Sequence, residues 1–408
     1  MLHGRTLASS LALLCVVLTP AIGQERPAEP DFTGSWSSTF GTLVLTRDGV
    51  LLRGTYGGGG VSTLVGTLEG RKLVFRYTEV GARGEGWFQL AANSRSFSGK
   101  WRPDGTDAWA DWTGTRTPPA PLPTTFSGLF ETRYGRIRLE QHGDAVSGLY
   151  RYSGNWGRIK GTVKKGRLSF EWREPTTRGK GEFKLGPKGV QLRGKWSVEG
   201  QPQKEWNGQR VRPRPGVRWL VVLEAYWEEQ LEQSEYSFGA MLRAYFRRYP
   251  RVEVRHRRFG DKADFVRAGR EIAFLAEPVV LVIASHGVNG QLVAGQERIK
   301  PDLVGRVLKD LPNLSLVHFS SCEIFVGDTL KSIRAELPKG RKVPFSGYAV
   351  SVDWSGSALL EQLYFDLVLG RGISPKRAAR FVKSELSFAN DTNAADSPLG
   401  ALKFRFQE

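Results

Sequence analysis

Residues 32–210 carry one pattern twice, at an offset of 94–95 positions. Phe32-Thr-Gly-Ser-Trp36 aligns with Phe126-Ser-Gly-Leu-Phe130, and Gly41-Thr-Leu-Val-Leu45 with Gly135-Arg-Ile-Arg-Leu139. Gly54-Thr-Tyr56 aligns with Gly148-Leu-Tyr150, and Gly84-Glu-Gly-Trp-Phe88 with Gly179-Lys-Gly-Glu-Phe183. Phe97-Ser-Gly-Lys-Trp101 meets Leu192-Arg-Gly-Lys-Trp196, and Trp112-Thr-Gly-Thr-Arg116 meets Trp206-Asn-Gly-Gln-Arg210. So many matches at a nearly constant spacing mean a duplication. Within each copy apolar and polar residues alternate, with Gly, Asp or Asn turns about every ten positions, the mark of short antiparallel strands joined by hairpins. About eight strands fit in each copy, which predicts a small up-and-down barrel or compact sandwich. The modules span 30–118 and 124–212. Glycines recurring inside strands are expected to mark bends or bulges.

Nine of the twelve tryptophans fall in these copies, where they fill barrel interiors or offer a face to sugars or apolar ligands; filling is the reading we favour. No set of acids and histidines recurs in both copies, so no catalysis is expected there. The overall pattern loosely resembles lipocalin- and avidin-like barrels. Proline-rich stretches, Pro118-Pro-Ala-Pro-Leu-Pro123 and Arg212-Pro-Arg-Pro-Gly216, read as stiff spacers between independent modules.

Charge is unevenly spread. Residues 126–214 hold 20 Lys and Arg against 8 Asp and Glu, whereas residues 216–408 hold 27 against 23. The excess of the second module would attract an anionic polymer or glycan. No recognised nucleic-acid motif is present, so no specific nucleic-acid partner is expected. Residues 1–23 read as a secretory leader: Arg5, an apolar stretch from Leu7 to Leu18, and Ala21-Ile22-Gly23 at the cleavage site. No other apolar run reaches the ~18 residues of a transmembrane segment. The expected location is therefore secreted, periplasmic or extracellular. With Cys15 lost in the leader, one thiol remains, Cys322.

From residue 217 to 408 strands alternate with helices, which implies a mostly parallel sheet covered on both faces. Strands are predicted at Val217–Ala225, Val252–Phe259, Val279–Ser285, Leu314–Ser320 and Phe345–Val352. Helices are predicted at Glu228–Tyr249, Lys262–Leu275, Pro301–Leu311, Thr329–Leu337 and Ser357–Leu369. The fold class is thus two tandem all-β modules followed by an α/β domain. In open α/β sheets function collects beyond the carboxyl ends of the strands. His286-Gly287 and Cys322 both lie at such ends, on consecutive strands expected to be neighbours. A thiol and an imidazole placed together serve as nucleophile and base. Asp353, just past a strand, either caps the next helix or lines a pocket that favours a basic side chain. His318, four residues before Cys322, is expected below the site, in the core or against a helix. No Cys or His pair has metal-ligand spacing and no Gly-rich phosphate loop follows a strand, so neither metal nor other cofactor is expected.

A hydrophobic run closing in His-Gly, then another closing in a small residue plus Cys, resembles the caspase-like cysteine peptidases of clan CD. Val317-His-Phe-Ser-Ser-Cys-Glu-Ile-Phe-Val-Gly-Asp328 is most similar to the CHAT-type branch, as is Ser346-Gly-Tyr-Ala-Val-Ser-Val-Asp-Trp354 before a long helix. The resemblance covers roughly 217–390. It lacks the Gln-Ala-Cys-x-Gly signature of true caspases, so aspartate specificity is not implied. It implies catalysis by His286 and Cys322, with an oxyanion hole from the backbone N–H groups of Gly287 and Cys322. The expected substrate is a protein or peptide. A secreted binding protein with an inactive caspase-like domain is the alternative.

Overall fold

The computed structural model describes residues 31–408 apart from Gly49, 58–61, Val80, 119–120, Glu229, Leu231, Ser234, Pro250 and 391–398. The leader expected at 1–23 lies outside the described residues. The first module is a closed antiparallel barrel of eight strands in sequential order: Gly34–Ser38 (β1), Gly41–Asp48 (β2), Leu51–Tyr56 (β3), Ser62–Glu69 (β4), Lys72–Glu79 (β5), Ala82–Leu90 (β6), Ser96–Pro103 (β7) and Ala110–Arg116 (β8). The second repeats it with Gly128–Thr132 (β9), Gly135–His142 (β10), Ala145–Tyr152 (β11), Asn155–Lys164 (β12), Arg167–Arg173 (β13), Arg178–Leu185 (β14), Gln191–Val198 (β15) and Gly208–Arg210 (β17). The short strand Lys204–Glu205 (β16) adds to β15, and pairing of β14 with β15 closes the ring.

The alternation read from the sequence packs one aromatic cluster into each barrel. Trp36, Phe88, Phe97 and Trp112 fill the first, and Phe130, Phe170, Phe183 and Trp206 the second. Polar closures recur at the same offset. Trp112 Nε1 donates to Ser38 Oγ and Trp206 Nε1 to Thr132 Oγ1, both at 3.1 Å. Tyr56 and Tyr150 donate to Glu79 and Glu174 at 2.8 and 3.0 Å. Arg116 lies over Trp36 and binds the carbonyls of Asp31 and Thr33; Arg210 lies over Phe130 and binds those of Ser127, Thr125 and Gly189. Gly99 and Gly194 pair in unbroken register with Phe88 and Phe183, so they are not bulges. At Gly99 and its counterpart Gly194 a Cβ would strike the facing backbone at 2.0 Å and the rings of Phe88 and Phe183, so glycine is required to let a ring cross the strand.

The C-terminal unit is a six-stranded mixed sheet in the order β19-β18-β20-β24-β25-β26. Its strands are Arg218–Ala225 (β18), Val252–Phe259 (β19), Val279–Ala284 (β20), Leu314–Ser320 (β24), Phe345–Tyr348 (β25) and Phe404–Gln407 (β26). All are parallel except β26. A separate hairpin sheet, Gly287–Val288 (β21), Gln291–Ala294 (β22) and Glu297–Ile299 (β23), follows β20. The helices are Phe238–Phe246 (α1), Lys262–Ile272 (α2), Pro301–Lys309 (α3), Thr329–Ala335 (α4), Trp354–Phe365 (α5) and Pro375–Glu385 (α6). Among the described residues no helix is long and apolar enough to cross a membrane.

Four expectations change. The helix expected from Glu228 begins only at Phe238, because the buried carboxylate of Glu224 draws in Trp227 Nε1 and the α1 N-cap Ser237. The strand expected to reach Val352 ends at Tyr348, where the chain turns to run beside Cys322. The spacer at 212–216 is docked: Arg214 meets Glu277 at 2.6 Å and Glu253 at 3.0 Å. Nor is the second barrel independent of the α/β unit. Trp156 stacks on Phe274, and Arg138 donates to the carbonyls of Ala273 and Leu275 at 2.8 and 2.6 Å. Burial pushes the Arg138 guanidinium down to about 10, still cationic at neutral pH. Arg251 in turn reaches the first barrel at Val44 O and Thr55 Oγ1.

Candidate active site

The two central strands β20 and β24 run parallel in register, Ala284 beside Ser320, and deliver the next residues to one place. The ends are tied by buried serines: Ser285 N donates to Ser320 O at 3.4 Å and to Ser321 Oγ at 3.2 Å, and Ser321 Oγ to Ile283 O at 3.3 Å. Past this clasp, Gly287 lies against Cys322. A Cβ at Gly287 would come 1.9 Å from Cys322 O and 2.9 Å from Cys322 N. The absent side chain therefore makes room first for the backbone of Cys322.

His286 O accepts from Val293 N at 2.9 Å, so the next residue, Gly287, sits opposite Leu292 as a non-hydrogen-bonded pair. The N–H of Gly287 is thereby turned away from β22. The hairpin turn is Asn289-Gly290, with φ of +49° and +77°, the left-handed pair that a two-residue type I′ turn demands. Glu323 clamps it: its carboxylate accepts from Asn289 N at 3.0 Å and its carbonyl from Gly290 N at 2.9 Å. Glu323 itself has φ of +54°, strained for a side chain with a Cβ and held by these contacts. The residue after the thiol thus fixes the loop after the imidazole.

His286 is exposed, and its Nε2 lies 3.4 Å from the carbonyl of Trp227, whose indole meets the imidazole edge-on at 5.1 Å. A neutral ring that donates from Nε2 has its basic lone pair on Nδ1. The Cys322 sulfur is half-buried; Val352 N donates to it at 3.3 Å, with Ser351 Oγ at 3.7 Å. The two side chains keep separate partners here. They line one hollow of about 80 Å³ with Trp227, Phe238, Asp353 and Trp354.

Trp227 is held from behind by Glu224, which is buried and accepts from Trp227 Nε1 at 2.7 Å, Phe238 N at 2.7 Å and Ser237 Oγ, and pairs with His256 at 2.7 Å. Burial alone would raise its pKa; the hydrogen bonds from His256, Ser237 and Trp227 outweigh it and hold the carboxyl below its usual range. Asp353 is a helix cap that also stands at the rim of the hollow: it caps α5, accepting from Gly356 N at 3.0 Å. His318 is fully buried beneath the site, 3.1 Å from Glu361 of α5 and 2.9 Å from Ser346 Oγ.

Trp227, Glu224 and the clamp by Glu323 were not assigned roles from sequence. Asn289-Gly290 was a readable hairpin signal, and Glu224 a lone charge in an apolar run; nothing local marks Trp227. Among the described residues no group of three or more His, Cys, Asp or Glu is placed to hold a metal.

No family model matches the chain, and no curated protein matches it. Over 47% of its length it is similar to caspase-1 from Spodoptera frugiperda, at TM-score 0.33 and 12% identity, covering 85% of that chain. A pro-sf-caspase-1 structure aligns at TM-score 0.31 and 14% identity, over 47% of this chain and 91% of that one. Aeromonas veronii immune modulator A aligns at TM-score 0.16 and 6% identity, over 44% of this chain and 94% of that one. Scores this low carry no functional weight, and the geometry of the site stands by itself.

Proposed function

We propose that the chain is an exported cysteine endopeptidase of caspase-like type, acting through Cys322 and His286. One observation carries this reading: the backbones of Gly287 and Cys322 touch at the ends of adjacent parallel strands, with the imidazole and the thiol lining the same hollow. Cys322 Sγ, deprotonated through His286 Nδ1, attacks the scissile carbonyl carbon. The C=O π-electrons move to oxygen, and the N–H groups of Gly287 and Cys322 receive that oxyanion. Each such donor is worth about 3–4 kcal/mol of barrier. The imidazolium then gives its proton to the departing amine, and water releases the acyl group from sulfur. Trp227 O supports the imidazolium by accepting from Nε2.

The hollow has aromatic walls at Trp227, Tyr236, Phe238 and Trp354, with the Asp353 carboxylate at its border. Aromatic faces and a carboxylate both attract cations, so a basic residue before the scissile bond is the expected preference. An arginine side chain needs more than about 80 Å³, and the half-exposed Tyr236 and Trp354 are the side chains that must swing.

The test is iodoacetamide labelling and hydrolysis of a fluorogenic peptide library by the full chain and its Cys322→Ala and His286→Ala variants. Fast labelling of Cys322, slowed by His286→Ala, and cleavage after Lys or Arg support the reading. A sulfur that reacts no faster than free cysteine, unaffected at His286, would sink it and leave a binding protein with an inert α/β unit.

A further inference from the structure

The duplicated barrels provide a control for each other, and one surface fails to match. Across β12, β13 and β14, Arg158 sits opposite Arg173 and Arg173 opposite Arg178. Farther along, Lys164 faces Arg167, Arg167 faces Lys184, and Lys184 faces Arg193 on β15. The equivalent rows of the first barrel read Thr63, Thr78, Arg83 and Glu69, Lys72, Gln89, Ser98. Rows carrying net charges of +1 and 0 in one copy thus carry +3 and +4 in the other. Like charges directly opposite across a sheet are destabilising. The second barrel bears that cost twice, on a scaffold whose twin shows that the fold does not require it.

Counter-ions are in place for two of these groups: Arg158 meets Asp310 at 2.7 Å and Arg167 meets Glu182. The first row also borders a hollow of about 630 Å³, whose lining adds Lys160, Lys180 and Trp172 and the carboxylates of Glu171 and Glu199. Trp172 is 4% exposed and belongs to the barrel core, edge-on to Trp196, with no acceptor for its indole N–H among the described residues. Arg158 and Lys164 stand six residues apart on one strand, about 20 Å at the usual rise. A single small anion cannot reach both rows; a chain of charges can.

We propose that the β12–β15 face of the second barrel is a binding surface for an acidic polysaccharide, engaged by the Arg158-Arg173-Arg178 and Lys164-Arg167-Lys184-Arg193 rows. Single-stranded nucleic acid carries the same charge but binds by stacking bases on free aromatic rings. Trp156, the ring at the end of this face, is already stacked on Phe274 at 5.7 Å. The other outward positions of the face are Lys, Glu, Gln, Ser and Thr.

The test measures binding of the full chain to heparin fragments of two and of twelve sugars, and to a single-stranded oligonucleotide of charge matched to the longer fragment. The long fragment should bind with steep salt dependence and the short one far more weakly. The pair Arg173→Ser and Arg178→Ser should weaken binding about tenfold or more, by loss of two ion contacts. Its melting temperature should stay level or rise, since repulsion has been removed. A first-barrel pair that removes the same charge, Arg83→Ser and Lys72→Ser from the two equivalent rows, should alter binding less than about twofold. Equal losses from both barrels, no loss from the second, or tighter binding of the oligonucleotide would overturn the proposal. Each readout is independent of Cys322.

Discussion

The barrels and the α/β unit spend their polar groups in opposite ways. In the barrels the Tyr–Glu, Trp–hydroxyl and Arg–carbonyl contacts occur twice, at the same offset; the latter two join the last strand of each ring to its first. In the α/β unit each polar contact near the β20 and β24 ends occurs once: Ser285 with Ser321, Glu323 with the hairpin turn, Glu224 with Trp227. What is duplicated holds shape; the single contacts that set the thiol and the imidazole gather at the carboxyl ends of the two central strands. Chemistry is therefore expected at those strand ends, and the cationic rows of the second barrel, which the first barrel lacks, read as recognition.

The strongest way to break this contrast is Cys322→Ala or His286→Ala. Each should cut peptide hydrolysis by about a thousandfold or more while leaving the unfolding curve in place. Loss of stability with retained turnover would place the chemistry elsewhere. Next comes Trp206→Ala, expected to cost about 3–5 kcal/mol of barrel stability, with Trp112→Ala costing as much in the first barrel. Denaturant unfolding followed by tryptophan fluorescence checks this; a large difference between the two would show that the copies do not share one closure.

Glu224→Gln should come third. It leaves His256 and the Trp227 loop without a buried anion, at about 3 kcal/mol of stability, and should slow turnover more than it raises KM. The carboxyl's folded-state pKa lies below its ordinary value of 4.5, so its contribution is complete above that pH and disappears as pH falls through the folded value. The variant should lose that part of the acid dependence of stability, as read by denaturant midpoints between pH 3 and 7. The smallest stability effect is expected for Asp353→Asn. Asparagine caps a helix as well as aspartate does, so the melting temperature should hardly move, whereas the preference for a basic residue should fall about tenfold. An unchanged cleavage profile would leave Asp353 as a cap alone.

Much of this was readable in the sequence because it rests on periodicity. The duplication, the central strand runs and their reactive ends follow from alternation, apolar run length and turn residues. Strand-ends at Ala284 and Ser320 fell within one residue of expectation. What was not readable depends on contacts distant in the chain. Residues 228–237 look helical by composition, yet Glu224 holds the loop's tryptophan and serine in place. β26 is a four-residue antiparallel edge strand, too short to show a period. Glu323 matters through a left-handed backbone and a hairpin turn 34 residues upstream, which no local pattern encodes. Helix α6 lies outside the expected elements although Ser374-Pro375 is a readable start signal: the serine caps it and proline takes the first turn.

Arg138 gives the arrangement a property that concerns the integrity of the molecule rather than its reaction. With Arg136, it puts barrel guanidinium groups on the carbonyls of Ala273, Phe274 and Leu275, just where α2 runs out of its own donors. The second barrel is in effect the end-plate of that helix. A protease nick at 212–216 would accordingly yield two fragments that travel together through a sizing column, and a recombinant piece starting at 217 would leave the Ala273 and Phe274 carbonyls without their guanidinium donors, whereas Leu275 O would keep Asn313 Nδ2 at 3.0 Å.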